Sequence, residues 1–93
     1  RFDPANMKII TPEETISITQ KENELLKFFC DHRNKVLKRN EVLLNVWGKE
    51  DFFLGRSMDV FVSKLRKYLK QDSSILLETI HGVGFRLSVP KDN

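Results

Sequence analysis

The residues best placed to do chemistry lie in one stretch, "RSMDVFVSKLRKYLK" at positions 56–70, which carries five Lys or Arg side chains and a single acid. On a helical wheel of about 100° per residue, Met58, Val62, Leu65 and Leu69 form one narrow apolar stripe. The opposite side carries cations, one hydroxyl and one valine: Arg56, Val60, Ser63, Lys64, Lys67 and Lys70. This positive face is suited to a polyanion, although a solvated lysine-rich face that serves only solubility would have the same charge pattern.

The charge of the rest of the chain makes this stretch stand out. Residues 1–55 carry nine Lys or Arg and nine Asp or Glu, whereas residues 56–93 carry seven against four. On one flank of the stripe, Asp59 and Arg66 are expected to neutralise each other or to pair elsewhere within the domain. On the other flank, Phe61 and Tyr68 are expected to pack against the C-terminal hairpin or a sheet, with stacking on single-stranded bases as the alternative.

Other reactive groups are sparse. The single cysteine, Cys30, excludes an internal disulfide, and with only His32 and His81 beside it the sequence has no zinc-ligand spacing. No glycine-framed nucleophile and no paired carboxylates point to an enzyme. We therefore expect no metal, no cofactor and no catalytic residues, and we expect Cys30 to be a small buried hydrophobe rather than a reactive thiol.

The chain as a whole has the composition of one small globular domain, residues 1–93, with 40% hydrophobic and 31% charged residues. No apolar run approaches the roughly 20 residues of a membrane-spanning helix, and nothing resembles a signal peptide. We therefore expect a cytoplasmic protein without membrane contact. The first residue is Arg1 rather than Met, so we expect a fragment of a longer protein.

The elements that position the basic helix can be predicted from local patterns. Residues 7–11 and 15–19 predict short strands around a turn at 12–14, and residues 1–2 predict the stub of another strand. Thr19 and Glu22 predict a capping box that starts a first helix, and residues 38–47 predict a second helix that Gly48 ends. Residues 48–55 predict a loop. "LLETI" and "FRLSV" flank "HGVG" and predict a hairpin whose two glycines permit the positive φ angles of a tight turn.

This order of strands, three helices and hairpin is typical of an α+β winged helix. Four blocks also resemble the OmpR/PhoB-type winged-helix DNA-binding domain of bacterial two-component response regulators, over almost the whole chain. "ITQKENELLKFF" is similar to the family's "LTPKEFELLRLL", and "VLKRNEVLLNVWG" to "VVSREELLEAVWG". "GRSMDVFVSKLRKYL" is similar to "DRTVDVHISRLRKKL", and "ETIHGVGFRL" to "RTVRGVGYRL".

The resemblance implies a winged helix-turn-helix with a short N-terminal antiparallel sheet, three helices and a C-terminal β-hairpin wing. Helix 56–70 would enter the major groove of double-stranded DNA, and the wing, residues 79–85, would lie near the minor groove. Two residues fall where the family contacts phosphates: Arg56 and Ser57. Three fall where it faces bases: Val60, Ser63 and Lys64. Three more fall along the backbone side and in the wing: Lys67, Thr79 and His81.

The resemblance also implies partners for the complete protein. Family members often bind direct repeats head to tail, so we expect a monomer or weak self-association without DNA. Residues 49–55 match a segment that in this family can touch RNA polymerase, although packing of its aromatic residues under the loop is the alternative; the candidate contacts are Lys49, Glu50, Asp51, Phe52 and Phe53. A sensor histidine kinase would act only through a receiver domain, which this sequence does not contain.

Three positions depart from the family pattern. His81 stands where Arg is usual, which would make the wing contact weaker, water-mediated or pH-sensitive. Lys64 replaces a common Arg and lacks its planar two-pronged contact to guanine. Lys38 replaces a usual Ser N-cap, a loss of about 1 kcal/mol. The sequence thus predicts a transcription-regulating, sequence-specific DNA-binding output domain, and the alternative is a winged helix used for contact with RNA polymerase or a receiver domain.

Overall fold

The computed structural model describes residues 1–49 and 52–90, and at positions 52 and 53 only the backbone. The chain begins with a three-stranded antiparallel sheet of β1 (Phe2–Asp3), β2 (Lys8–Ile10) and β3 (Thr15–Ser17), in the order β1-β2-β3. Ile9 pairs with Ile16 across β2 and β3 and points its buried side chain into the core. Both predicted strands are confirmed, with shorter bounds, and the expected stub forms β1.

The first helix, α1 (Gln20–Asp31), begins at the predicted capping box. The Glu22 N–H donates to Thr19 Oγ1 at 3.2 Å, and the Thr19 N–H donates to Glu22 Oε1 at 2.8 Å, so each side chain satisfies a backbone donor of the other residue. Leu25, Leu26 and Phe29 are fully buried on one side of the helix. The local sequence pattern therefore predicted both the start and the buried face of α1.

The second helix, α2 (Arg39–Val42), continues as a π-helical segment, Leu43–Trp47. Gly48 ends it with a φ of 84°, and its N–H donates to the carbonyl of Leu43 at 3.1 Å. Lys38 is the N-cap, and its ammonium has no lone pair with which to accept a helix N–H. The Lys38 N–H donates to Glu41 Oε1 at 3.4 Å, so only the returning half of a capping box forms.

The third helix, α3 (Phe52–Leu69), starts earlier than the sequence predicted. The prediction of a loop over residues 48–55 is wrong for its second half, because the helical backbone already includes Phe52 and Gly55. Gly55 is buried, and its carbonyl accepts a hydrogen bond from Arg39. The glycines and acidic residues of this segment favoured a loop, and this contact with a distant residue could not be predicted from them. The predicted apolar stripe is confirmed, since its members are all buried: Met58, Val62, Leu65 and Leu69.

The C-terminal sheet has three strands, where the sequence predicted a two-stranded hairpin. β5 (Leu76–Ile80) and β6 (Gly84–Ser88) form the hairpin, and β4 (Leu37–Lys38) pairs antiparallel with β6, giving the order β4-β6-β5. The two glycines of the connection have different roles. Gly82 has a φ of 76°, as predicted, whereas Gly84 has no positive φ. A Cβ at Gly84 would collide with the Leu37 carbonyl, so Gly84 is required for the close approach of β4.

The core lies between the helices and this second sheet, and Ile9 and Ile18 extend it to the N-terminal sheet. The rings of Phe29 on α1 and Phe85 on β6 meet edge to face at a centroid distance of 6.1 Å, and both are fully buried. Cys30 is half-buried against the same core, and burial raises the pKa of its thiol, which supports the prediction of a packing role. Within residues 1–49 and 52–90, no helix is both long and apolar enough to cross a membrane.

Candidate nucleic-acid interface

The basic face of α3 points to solvent as the helical wheel predicted. All six residues that the wheel placed there are exposed: Arg56, Val60, Ser63, Lys64, Lys67 and Lys70. Ser57, which the family resemblance adds, is exposed as well. Val60 is 55% exposed although it lies in the middle of a helix, while Met58 and Val62 on either side of it are buried. The face is therefore a continuous polar and cationic surface with one apolar side chain near its centre.

Arg39 fixes the beginning of α2 to this helix. Its Nη1 lies 2.7 Å from Asp59 Oδ1 and its Nη2 lies 3.2 Å from Asp59 Oδ2, a two-pronged ion pair, and Nη2 also donates to the Gly55 carbonyl at 3.3 Å. The guanidinium lies 5.7 Å from the centroid of the Phe85 ring. Of the two expectations for Asp59, pairing within the domain is confirmed, and mutual neutralisation with Arg66 is wrong. Sequence reasoning missed Arg39, because an exposed acid in the stretch 56–70, which has five cations, has candidate partners on its own helix.

Arg66 fixes the wing to the same helix. Its Nε donates to the Leu77 carbonyl at 2.9 Å and its Nη2 donates to Thr79 Oγ1 at 2.7 Å. Thr79 was predicted to contact DNA, and its side chain is exposed. Since the hydroxyl oxygen accepts from Arg66, its own hydrogen stays available as a donor. Arg66 thus adds two hydrogen bonds between α3 and the wing strand β5, next to the core in which both are packed.

The turn of the wing, residues 81–83, is short and tied at its base. The Val83 N–H donates to the Ile80 carbonyl at 2.9 Å, and the Val83 carbonyl accepts from the Arg39 N–H at 3.2 Å. His81 and Gly82 are exposed at the end of the hairpin. The wing therefore offers His81 to solvent from a turn that is attached to both α2 and β5.

The two aromatic residues on the flank of α3 differ in their surroundings. Phe61 packs against Trp47, so the prediction that it packs against the hairpin or a sheet is wrong for its ring. Tyr68 lines a pocket together with Ile9 and Ile10 of the N-terminal sheet, in agreement with the prediction. The ring of Phe61 meets that of Trp47 at a centroid distance of 5.8 Å, and Lys64 Nζ lies 5.8 Å from the centroid of Phe61. The Tyr68 hydroxyl donates to Glu22 Oε2 at 3.2 Å on α1. Burial, followed by the nearby Glu22 carboxylate, raises the pKa of Tyr68.

A groove of about 600 Å³ runs between the C-terminal half of α3 and the start of β5. Arg66, Lys67 and Lys70 border it from the helix, and Leu76 and Leu77 border it from the strand. Three cations on one wall give the groove a positive field, because the described groups that line it include one acid only, Asp72. The groove continues the basic face of α3 toward the start of β5.

The predicted polymerase-contact segment is only partly described. Lys49 is exposed after the turn at Gly48. Glu50 and Asp51 lie outside the described residues, as do the side chains of Phe52 and Phe53, whose backbone forms the first turn of α3. In the parts of the chain that the structure describes, no three His, Cys, Asp or Glu side chains are grouped as a metal site would require.

Residues 13–87 match the protein family described as "Transcriptional regulatory protein, C terminal". The chain belongs to this family. It is 40% identical over 90 residues to the transcriptional regulatory protein RprY of Bacteroides fragilis, which covers 97% of this chain and 38% of RprY. The chain thus spans well under half the length of that relative. The resemblance drawn from the four sequence blocks is confirmed.

Solved structures support the same fold. The DNA-binding domain of Escherichia coli CadC superimposes with a TM-score of 0.80 at 31% identity, covering 94% of this chain and 83% of that one. The DNA-binding domain of the response regulator AdeR, solved in complex with an intercistronic region, gives a TM-score of 0.72 at 28% identity and covers 97% and 94% of the two chains. The predicted α+β winged helix is confirmed.

Proposed function

We propose that this chain binds double-stranded DNA sequence-specifically and regulates transcription as the output domain of a two-component response regulator. The observation that carries the proposal is the exposed cationic face of α3, which Arg39 fixes to α2 and Arg66 fixes to the wing. A helix held this way presents its basic face as a rigid surface, which we call the reading face. The AdeR domain, of the same fold, is bound to an intercistronic region in its structure.

The side chains divide by the kind of contact they would make. Base contacts belong to the centre of the face, where Val60 fits a thymine methyl and Ser63 and Lys64 supply donors. Phosphate contacts belong to its beginning and far end: Arg56, Ser57 and Lys67. Wing contacts near the minor groove belong to two residues: Thr79 and His81. Phosphate contacts supply most of the affinity, and base contacts supply the selectivity.

The rest of the proposal concerns the complete protein. The domain would act in the cytoplasm, would carry no enzymatic activity or cofactor of its own, and would bind direct repeats as weakly associating monomers. Control by a sensor histidine kinase would require a receiver domain joined to this chain. These statements are what the resemblance to response-regulator output domains implies, and family membership and the homology to RprY support that resemblance.

The salt dependence of affinity tests the proposal. With about three to five phosphates neutralised, log affinity should fall with log salt at a slope of roughly −3 to −5 in a fluorescence anisotropy titration. Lys64→Glu should abolish binding to a duplex selected from a random library while the circular dichroism spectrum stays unchanged. Lys27→Glu, on the exposed side of α1, is the matched control and should change affinity much less. A slope near zero would refute DNA binding, and preserved affinity in Lys64→Glu would refute the assigned face.

Contact with RNA polymerase is the second candidate, and one side chain favours it. Leu44, on the π-helical segment next to Lys49, is 51% exposed. A protein bound at Lys49 would cover this apolar side chain and remove it from water. If this is the main function, the amide signals of residues 43–49 should shift on addition of RNA polymerase, and those of α3 should not shift with DNA.

A further inference from the structure

Four side chains from three helices form a continuous stack that ends at Lys64. Lys21 Nζ lies 5.5 Å from the centroid of the Trp47 ring, the rings of Trp47 and Phe61 are 5.8 Å apart at a tilt of 50°, and Lys64 Nζ lies 5.8 Å from the centroid of Phe61. Each cation is within the distance of about 6 Å at which a ring face attracts it. The order is cation, ring, ring, cation.

The inner end of this stack is firmly held. Lys21 Nζ donates to the Val46 carbonyl and to Glu24 Oε2, both at 2.9 Å, so Lys21 joins α1 to the π-helical segment beside Trp47. Phe61 and Trp47 are half-buried and pack against the core. The outer end is different, because Lys64 is exposed and the structure gives it no carboxylate partner among the described residues. The Phe61 ring is the one recorded contact of its ammonium there.

Position on the helix explains why the two residues meet. Phe61 and Lys64 are three residues apart, so their side chains are neighbours on the surface of α3. Lys64 belongs to the exposed face, and Phe61 lies on the flank that turns toward Trp47. The ring therefore draws the ammonium toward the α2 side of the helix, away from the groove that Arg66, Lys67 and Lys70 border.

We propose that Phe61 is a positioning residue that holds the Lys64 ammonium at one place on the reading face and thereby sharpens the base preference there. The proposal rests on the DNA-binding function given above. A free lysine side chain has several rotatable bonds and reaches many positions, so confinement before binding reduces the ordering cost. The ring accepts no hydrogen bond through conventional lone pairs, so the three N–H donors of the ammonium stay available to a base edge.

The sequence itself links the two residues. The family block quoted above, "DRTVDVHISRLRKKL", has His at the position of Phe61 and Arg at the position of Lys64. The guanidinium of an Arg is planar and holds its N–H donors in a fixed fork, whereas the ammonium of a Lys is a single group on a flexible stem. In this chain both positions differ from the block, and the structure puts the two replacement side chains in contact. The Phe61 ring therefore restricts the position of the Lys64 ammonium, which the lysine side chain alone does not do.

A measurement without DNA tests the contact. In the wild-type domain, the ε-methylene protons of Lys64 should resonate upfield of those of Lys27, because protons over a ring face are shielded. Phe61→Leu should remove this upfield shift, and Phe61→Tyr, which keeps a ring, should preserve it. An unshifted Lys64 signal in the wild type would overturn the proposal even if the domain binds DNA. An upfield signal without DNA binding would refute the proposed function alone.

A double-mutant cycle with DNA tests the consequence. On the duplex selected from a random library, Phe61→Leu should lower affinity about two- to fivefold, the factor that an exposed cation–ring contact corresponds to, and Phe61→Tyr should restore it. The slope with salt should stay unchanged, since no charge is lost. In a Lys64→Met background, Phe61→Leu should have no further effect. An equal loss in both backgrounds would show that Phe61 acts through packing only, and would overturn the proposal.

Discussion

Replacement of Gly84 by alanine should disconnect β4 from the wing sheet. A Cβ at this position would overlap the Leu37 carbonyl oxygen and would lie 2.9 Å from its carbon and 3.0 Å from the Arg39 nitrogen. All three are backbone atoms, so no side-chain rotation relieves the clash and β4 must move. Gly82→Ala is the matched control, because no atom lies within 4 Å of a Cβ there and the only strain comes from its φ of 76°.

The magnitudes separate the two variants. Moving β4 exposes Leu37, now 4% exposed, and burial of a leucine is worth about 1.5–3 kcal/mol. Losing β4–β6 hydrogen bonds adds about 1 kcal/mol each, so Gly84→Ala should lower the free energy of unfolding by about 3 kcal/mol or more. A left-handed alanine at Gly82 should cost roughly 1–2 kcal/mol.

Urea unfolding followed by circular dichroism measures both variants. The wild-type and variant proteins should be compared at one temperature, with the slope against urea checked for a change in cooperativity. The amide signal of Leu37 in β4, and that of Arg39, whose N–H donates to the Val83 carbonyl, should lose their protection from hydrogen exchange in Gly84→Ala only. The close approach of β4 would be refuted if Gly84→Ala is no more destabilising than Gly82→Ala.

Further expectations follow for three other contacts. Arg66→Met should lower the free energy of unfolding by about 1–2 kcal/mol through the loss of two hydrogen bonds to β5, and an unchanged melting temperature would argue against that bridge. Asp59→Asn should cost no more than about 1 kcal/mol, because its pair with Arg39 is exposed, and should raise affinity for random duplex by removing an acid; lower affinity in anisotropy would contradict this. Hydrogen bonds from Arg86 hold the pKa of Glu78 below its ordinary value. The pair therefore stabilises the fold at pH values above the pKa of Glu78 in the unfolded chain, and this stabilisation is lost as the pH falls through the pKa of Glu78 in the folded protein. A carboxyl NMR titration that gives an ordinary or raised pKa for Glu78 would contradict this.

The sequence predicted those features that short stretches of chain encode. The apolar stripe of α3 follows from a spacing of three and four residues, and the capping box of α1 follows from Thr19 and Glu22, three positions apart. The exposed members of the reading face follow from the same wheel, because their positions lie opposite the stripe. The helical periodicity of α3 therefore predicted which of its polar and cationic side chains are exposed.

Features that depend on contacts between distant residues were missed. β4 has two residues and exists only because it pairs with β6, so Leu37 and Lys38 show no strand pattern of their own. The bridge from Arg66 to Thr79 and the pair of Arg39 with Asp59 join residues 13 and 20 positions apart. The stack at Phe61 likewise needs the relative placement of three helices. These contacts decide the orientation of the reading face, which no single segment specifies.

Amide chemical-shift mapping with duplex DNA tests the central claim most directly. A duplex selected from a random library should be titrated into the labelled domain at moderate salt. We expect the shifts to cluster at residues 56–70 and 79–84, with the N-terminal sheet of residues 2–17 nearly unaffected. Shifts confined to the N-terminal sheet, or no shifts at all at saturating DNA, would contradict the assignment of α3 and the wing as the DNA-binding surface.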